Sequence, residues 1–319
     1  MKSLNLTLLT TISLACLPVK KNAQLLSENS SELKSCFEKS ELLYSEKYNT
    51  DHQYNLYESL SYYEENGKSY LITSSEKNHE VYKIELNDIL ERKEVSYVDA
   101  IYKPMAHVKG LSGMIFNGIG EQSNIYMISD HEEGNTLSVG TINSSEKRDV
   151  KLEVAEGKYQ DWEDIELEKC HNDIGNCVYI ANLGDNGTSR SNGGDDKQYN
   201  LFYFKETELQ RSSNIEPKSI KISYEDGSSQ NSEAMSILDG EIYVTTKRSD
   251  PYKNTVWKAP IGDEIVLKKL CYLDVEKESG WSDVTASDFF EYKSETYFAY
   301  RDYTYIYLYK GIPNNTFKK

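Results

Sequence analysis

The 319-residue sequence lacks the short motifs that would assign a chemistry directly. It contains no nucleophile elbow, P-loop, dinucleotide fingerprint, H-E-x-x-H zinc motif or EF-hand loop. Histidine is scarce, with 5 residues, and only His131 lies beside a candidate motif, where an exposed loop residue is the simpler interpretation. A functional site must therefore come from the way the fold brings distant residues together.

Positive charge is also in short supply. The chain has 36 Lys and Arg against 52 Asp and Glu, which gives a formal net charge of −16. Nucleic acids and anionic membranes would repel this surface, so we exclude both as the main partner. A small molecule or a protein of neutral or cationic character remains.

Proline and long apolar runs are few as well. With 6 Pro, 26 Tyr and a mean hydropathy of −0.67, the chain resembles neither a multi-spanning membrane protein nor a disordered one. The many tyrosines are typical of half-buried strands. Composition therefore predicts a soluble, β-rich domain.

The one apolar stretch stands at the N-terminus. Met1–Val19 has a basic residue near its start and an apolar run too short to span a membrane, which predicts a signal peptide within residues 1–23. Small residues before Cys16 resemble a lipoprotein cleavage site, so Cys16 is a candidate for lipidation, with ordinary cleavage between Ala15 and Ala23 as the alternative. We expect an exported protein that is periplasmic, anchored to the outer membrane or extracellular.

Four further cysteines are Cys36, Cys170, Cys177 and Cys271, and an even number in an exported chain permits two disulfides. Cys170 and Cys177 flank a short polar segment typical of a hairpin loop, which predicts a bridge across the hairpin stem. Zinc binding by this pair with His171 is the alternative, and it lacks a second ligand pair at metal-site spacing. The partners of Cys36 and Cys271 stay open.

An internal repeat decides the fold class. Five apolar, β-like segments, each containing a tyrosine, recur 53 to 64 residues apart: Ser69–Ile72, Ile125–Ile128, Val178–Ala181, Ile242–Thr245 and Thr296–Ala299. Each follows a short segment with an apolar third position: Glu58–Leu60, Ser112–Met114, Glu163–Ile165, Glu233–Met235 and Ser282–Val284. A third strand-like run follows every tyrosine segment, and a fourth follows in the first four repeats.

Four short strands in about fifty residues are typical of a propeller blade, whose sheet hides its faces against its neighbours. The sequence predicts an all-β fold, a single β-propeller with five blades favoured and six as the alternative. The last repeat ends near Gly311 without a fourth strand, so we expect the bladeless segment Glu41–Tyr48 to close the ring. The expected organisation is a signal peptide at 1–23, a linker at 24–34, the propeller at 35–311 and a tail at 312–319.

Two motifs carry a resemblance to a family of exported bacterial β-propellers. Asp161–Ile165 and Asn182–Asn186 resemble that family's DWED-I and D-I-G-D-N motifs. Asn231–Met235 and Val284–Asp288 resemble its N-x-E-A and V-T-A-A-D motifs, and the similarity extends over about residues 111–303. The resemblance implies a propeller fold, while a distant similarity to phytase-like and esterase-like propellers is an analogy that assigns no residue a role.

Blade topology should bring charged residues to one mouth of the channel, because the first strand of each blade starts where the antiparallel second strand ends. The strand starts contribute Glu58, Glu163, Asp164, Glu233 and Asp283. The strand ends contribute Asp130, Asp185, Lys247 and Arg301. The acids are candidate metal- or ligand-binding residues, and the two bases either face an anionic group or form structural ion pairs.

Oxygen-only clusters select hard cations, so calcium is the candidate cofactor. We predict an exported acidic β-propeller acting as a binding or scaffold module, whose carboxylate-rich mouth takes a small-molecule or protein ligand. The alternative is a metal-assisted hydrolase of a phosphate or carboxylic ester. A third interpretation has the carboxylates merely holding the blades together through Lys247 and Arg301. The sequence assigns no catalytic residue.

Overall fold

A computed structural model describes most of the chain after its first 34 residues. The described residues are 35–37, 42–47, 57–75, 81–91, 110–117, 123–129, 135–141, 146–154, 161–185, 199–247, 253–274, 283–303 and 305–314. Cys16, Asp130, His131 and the expected fourth strand of the first repeat, at Val95–Val98, lie outside them. No helix in the part of the chain described here is long and apolar enough to cross a membrane.

Antiparallel strands follow one another as successive blades. Blade 1 contains β2 (Tyr57–Glu65), β3 (Lys68–Ser75) and β4 (Val81–Glu85), followed by the short helix α1 (Leu86–Leu90). Blade 2 contains β5 (Leu111–Asn117), β6 (Asn124–Ser129), β7 (Thr136–Thr141) and β8 (Lys147–Leu152). Blade 3 contains β9 (Trp162–Lys169), β10 (Asn176–Asn182), β11 (Tyr199–Lys205) and β13 (Lys218–Tyr224), with a 3₁₀ turn at Glu206–Glu208 and the two-residue β12 (Asn214–Ile215) before β13.

The remaining strands form the last two blades. Blade 4 contains β14 (Ser232–Leu238), β15 (Glu241–Thr246), β16 (Lys253–Pro260) and β17 (Glu264–Asp274). Blade 5 contains β18 (Val284–Tyr292), β19 (Glu295–Asp302), β20 (Tyr305–Lys310) and, from the start of the chain, β1 (Leu42–Lys47).

The first strands of the blades make a closed ring. β2 contacts β5, β5 contacts β9, β9 contacts β14, β14 contacts β18, and β18 contacts β2 again. The prediction of an all-β propeller with five blades is therefore confirmed. The predicted closure is confirmed as well, because β1 pairs antiparallel with β20, with Ser45 opposite Tyr307.

The hydrophobic core is divided among the five blade interfaces. One cluster of buried side chains lies between each pair of neighbouring blades, such as Tyr179 of blade 3 with Trp257 of blade 4, and Leu71 of blade 1 with Ile306 of blade 5. The tyrosine of each repeat thus packs between blades, where burying one large apolar side chain contributes about 1.5–3 kcal/mol. The sequence pattern repeats because each blade builds an equivalent interface with its neighbour.

Blades 3 and 4 are joined more closely than the other neighbours. Their outer strands β13 and β17 pair in parallel, with Ile222 opposite Ile265, so the two blades form one eight-stranded sheet. This pairing fixes the relative position of the two blades whose rims carry most of the site described below.

Two disulfides are present. The predicted Cys170–Cys177 bridge closes the β9–β10 hairpin, and Cys36 is bonded to Cys271 on β17. The zinc alternative for the hairpin cysteines is therefore wrong, because a disulfide leaves no thiolate to bind a metal.

Candidate functional site

Each inner strand begins with a β-bulge, at which one residue has no partner on the second strand. The bulge residues are Glu58, Ser112, Glu163, Glu233 and Thr285. The internal repeat predicts Ser282–Val284 at this position, which is three residues too early. The pairing register instead places Asp283 level with Asp161, one residue before β18 begins. An extra residue in a strand shifts the alignment between blades, and the hydrophobic pattern of the sequence does not show where that residue lies.

Two carboxyl groups of blade 3 converge on Gly184, in the segment after β10. A Cβ at Gly184 would lie 1.9 Å from Glu163 Oε1 and 2.4 Å from Asp161 Oδ2. Both carboxyl groups therefore fill the space that a side chain at 184 would take, and they lie close to each other. The Gly184 amide donates to the Asp161 carbonyl oxygen at 3.3 Å, which holds the backbone against the pair.

Blade 2 supports the same carboxyl group. The Ser112 hydroxyl donates to the Glu163 carbonyl oxygen at 2.7 Å and lies 3.3 Å from Glu163 Oε2. The Glu163 side chain is buried. A hydroxyl from one blade and a glycine backbone from its own blade thus fix its position before any ligand binds.

Blade 4 places an ion pair beside these acids. Lys247, directly after β15, binds the Glu233 carboxylate through its Nζ, and its side chain is 18% exposed. Burial alone would lower the pKa of the Lys247 ammonium, but the charges of Glu233, Tyr303 and Glu163 raise it above its ordinary value. Lys247 Nζ also lies 5.7 Å from the centre of the Tyr303 ring of blade 5. The ammonium therefore stays charged beside the Glu233 carboxylate.

Asn231 connects the two halves of this arrangement. Its Oδ1 accepts a hydrogen bond from the Asp185 amide at 2.6 Å, and its carbonyl oxygen accepts one from the Lys247 amide at 2.8 Å. Asp185 itself is buried, and its Oδ2 accepts from the Tyr199 hydroxyl at 3.5 Å. We call the group formed by Asp161, Glu163, Gly184, Asp185, Asn231, Glu233, Lys247 and Tyr303 the rim site.

Arg301 and Asp283 are more deeply buried than Lys247. The Arg301 guanidinium is fully buried between blades 5 and 1, where it donates to the Thr73 hydroxyl and, at 3.1 Å, to the Asp302 carbonyl oxygen. Asp283 is buried at the start of blade 5. Arg301 is therefore enclosed between blades, whereas the ion pair at the partly exposed Lys247 belongs to the rim site.

A second group of acids lies further along the inner strands. We call Asp164, Glu166 and Asp288 the axial carboxyls. Asp164 accepts from the Met235 amide of blade 4 at 2.8 Å, and Asp288 accepts from the Tyr62 amide of blade 1 at 2.7 Å. Burial raises the pKa of Asp164 and of Glu166, and the charge of Asp288 raises both further.

Sequence reasoning missed Glu166, Asp288 and Asp161 as site acids. Glu166 stands two residues after Asp164, so the alternation of side chains along a strand could have placed both on one face. Asp288 ends the V-T-A-A-D-like motif, and Asp161 begins the DWED-like motif. Asp161 and Asp288 were therefore visible within motifs whose strand register was unknown.

Among the residues described by the structure, no group of three or more His, Cys, Asp or Glu side chains is arranged to hold a metal ion. The side chain of Glu58 and the whole of Asp130 lie outside those residues. We therefore derive no chemistry from a metal at this mouth.

Solved structures share the fold at low sequence identity. A β-xylosidase matches with a TM-score of 0.51 and 12% identity over 80% of this chain and 92% of its own. A GH43 enzyme from Xanthomonas citri complexed with xylotriose gives 0.53 and 12%, over 83% and 89%. A β-xylosidase/α-arabinofuranosidase from a compost microbial metagenome, described as a calcium-free form with xylotriose, gives 0.52 and 15%, over 84% and 93%. No protein-family profile and no curated protein matches the chain.

These comparisons contradict the predicted function. The similar structures are named as xylosidases, arabinofuranosidases and family-43 glycoside hydrolases, rather than as binding scaffolds or as hydrolases of phosphate or carboxylic esters. The error arose because charge and repeat spacing describe a mouth lined with acids but do not distinguish among the reactions that acids catalyse. The likeness shows the fold of the chain, a five-bladed β-propeller.

Proposed function

We propose that this protein hydrolyses glycosidic bonds at the rim site between blades 3 and 4. One observation carries the proposal: adjacent blades present carboxyl groups whose nearest neighbours differ. Asp161 and Glu163 crowd each other beside Gly184, while Glu233 is paired with the Lys247 ammonium. The named activities of the similar propellers support the same reaction class.

The chemistry requires this difference. Glycosidic cleavage uses one carboxylic acid that protonates the leaving oxygen and one carboxylate that activates water or attacks the sugar carbon. Crowding of two carboxyl groups favours the form in which one of them holds a proton, which is the form that a general acid needs. Glu163 is the proposed acid, because the Ser112 hydroxyl and Gly184 fix its position.

Glu233 is the proposed base or nucleophile. Contact with Lys247 stabilises its ionised form, so it carries the negative charge that acid–base catalysis needs opposite a protonated acid. Lys247 is in turn held by its backbone bond to Asn231 and by the Tyr303 ring. Tyr303, half-buried at the rim, offers the aromatic face on which a sugar ring can stack.

The test is a panel of 4-nitrophenyl glycosides, beginning with β-xyloside and α-arabinofuranoside, together with xylo- and arabino-oligosaccharides. The variants Glu163→Gln and Glu233→Gln keep size and shape and should each lower kcat by about 100-fold or more, the scale of general acid–base catalysis. Glu295→Gln, on an exposed carboxylate paired with Lys310 at the far end of a blade 5 hairpin, is the matched control and should leave kcat unchanged.

Wild-type protein that releases no product from any glycoside in the panel would overturn the proposal. Turnover that survives in both glutamine variants would remove the rim site as its location, even if the protein proves to be a glycosidase.

Export remains a proposal alongside this activity. The apolar N-terminus supports secretion, and the Cys170–Cys177 and Cys36–Cys271 disulfides fit an oxidising compartment. Polysaccharides are met outside the cytoplasm, so the two proposals agree. Mass spectrometry of the native N-terminus distinguishes ordinary cleavage from lipidation at Cys16. Metal analysis of the same protein tests the calcium prediction.

A further inference from the structure

The N-terminal segment is attached to two blades at once. Residues 35–37 lie on the outer strand of blade 4, where Cys36 is bonded to Cys271 and the Cys36 amide donates to the Tyr272 carbonyl oxygen at 2.8 Å. Phe37 turns toward blade 5, and its ring stacks on Tyr309 at 4.2 Å between centroids. β1 begins six residues after Cys36 and supplies the outermost strand of blade 5.

This arrangement makes blade 5 dependent on a distant part of the chain. The three other strands of blade 5 come from the C-terminal end, while β1 comes from the N-terminal end and pairs with β20 on one side only. The outermost strand of a sheet is the one most prone to local opening, because it has a hydrogen-bonded strand on one side only. The covalent bond to Cys271 lies just before β1 and prevents the segment from diffusing away.

We propose that the Cys36–Cys271 disulfide is a latch that makes closure of the propeller dependent on oxidation. When the bond is absent, β1 leaves β20, and blade 5 loses its outer strand while blades 2 and 3 stay folded. The latch forms as the chain folds, when the two thiols pass two protons and two electrons by thiol–disulfide exchange to a disulfide-containing oxidant, which becomes a dithiol. The two cysteines are buried in the folded protein, so the bond resists reduction afterwards.

The latch also bears on the rim site. Blade 5 carries Tyr303, whose ring faces Lys247, and Asp302, whose Oδ1 accepts from the Tyr305 amide at 2.6 Å directly before β20. Arg301 of the same blade reaches Thr73 of blade 1. A loosened β20 therefore loosens the blade 5 part of the mouth.

The second disulfide provides a matched control. Cys170 and Cys177 are 7 residues apart in one hairpin, whereas Cys36 and Cys271 are 235 residues apart. A bridge that closes a long loop removes much more freedom from the unfolded chain than one that closes a short loop. The hairpin bridge also touches neither β1 nor β20.

Hydrogen exchange measured by mass spectrometry tests the latch. Cys36→Ala/Cys271→Ala should raise the exchange rate of the β1 and β20 amides at least tenfold, and that of the Tyr305 amide with them, while β9 and β10 keep wild-type rates. Cys170→Ala/Cys177→Ala should leave β1 and β20 unchanged. Equal protection of β20 in both double variants would overturn the proposal, as would a uniform rise across all five blades.

If the Cys36→Ala/Cys271→Ala variant does not fold, chemical reduction of the wild-type protein provides a second test. Wild-type protein is reduced under mild denaturation, alkylated at Cys36 and Cys271, and returned to native conditions. Faster exchange confined to β1, β20 and the blade 5 rim supports the latch, and retention of wild-type protection in the alkylated protein overturns it. Neither readout depends on glycosidase activity, so failure of the proposed function leaves this test unaffected.

Discussion

Glu163 and Asp164 are adjacent on one strand, yet they belong to two different acid clusters. The rim site surrounds its carboxyl groups with a glycine backbone, a serine hydroxyl and a lysine. Two of the axial carboxyls, those of Asp164 and Asp288, instead accept hydrogen bonds from backbone amides of other blades. Burial alone therefore does not identify a reactive acid, because an acid whose oxygens accept hydrogen bonds from the backbone has a structural role.

The largest expected effect on the rim site comes from Gly184→Ala. The added methyl group would overlap the carboxyl groups of Glu163 and Asp161 and force them apart. We expect kcat on the responsive glycoside to fall by about 100-fold, since a displaced acid loses most of its general acid contribution. Gly240→Ala is a poor control because its φ of 76° is strained for alanine, so Gly262→Ala, where only one backbone atom lies at 3.6 Å, serves instead. Activity that survives in Gly184→Ala would remove the carboxyl pair from the mechanism.

The fold was largely predictable, and the functional role of the site was not. Tyrosines such as Tyr126, Tyr179 and Tyr243 repeat because each packs at an equivalent interface, so the blade count and the closure by the N-terminal strand could be inferred from spacing. The convergence of Glu163, Glu233 and Lys247 followed from strand direction.

What the pattern could not supply was the register at each bulge. One extra residue decides that Thr285 takes the place of an acid in blade 5, and that Asp164 points into the scaffold while Glu163 reaches the rim. The disulfide partner of Cys36 was equally hidden, because it depends on contact between residues 235 positions apart.

The next largest effect concerns stability and belongs to the axial carboxyls. Asp164→Ala leaves the buried Met235 and Ser287 amides without their acceptor, at about 1–3 kcal/mol for each unsatisfied donor. Chemical denaturation should show a clear fall in the free energy of unfolding. Glu153→Ala, at an exposed position after β8, is the control and should stay within about 0.5 kcal/mol of wild type. An unchanged stability in Asp164→Ala would mean that water replaces the carboxylate at no cost.

A pH dependence sharpens the same contrast. Burial raises the pKa of Asp288 from 3.8 to about 7, so the folded state binds this proton more tightly than the unfolded chain does. Its contribution to stability is therefore complete below about pH 4 and is lost as the pH rises through about 7. Asp288→Asn should flatten that decline between pH 4 and pH 7 in denaturation experiments. The same slope in wild type and variant would mean that Asp288 is ionised in the folded protein.

The smallest effect is expected at Asn231. Asn231→Ala removes the acceptor for the Asp185 amide but keeps the backbone bond to Lys247. We expect a fall in kcat of a few-fold with KM nearly unchanged, because the loop shifts but the acid pair and the ion pair remain. Asn231→Asp retains an acceptor oxygen and should recover most of the loss. A loss that Asp does not recover would assign Asn231 a role beyond this hydrogen bond.

The most direct test of the account compares the two neighbouring acids in one experiment. Glycosidase kcat and the free energy of unfolding are measured for Glu163→Gln and Asp164→Asn beside wild type. We predict that Glu163→Gln lowers kcat by about 100-fold and changes the free energy of unfolding by less than about 1 kcal/mol. Asp164→Asn should lower the free energy of unfolding, while its kcat falls by much less than that of Glu163→Gln. If Asp164→Asn abolishes turnover at full stability while Glu163→Gln remains active, the reaction belongs to the channel axis, and the proposed rim site is wrong.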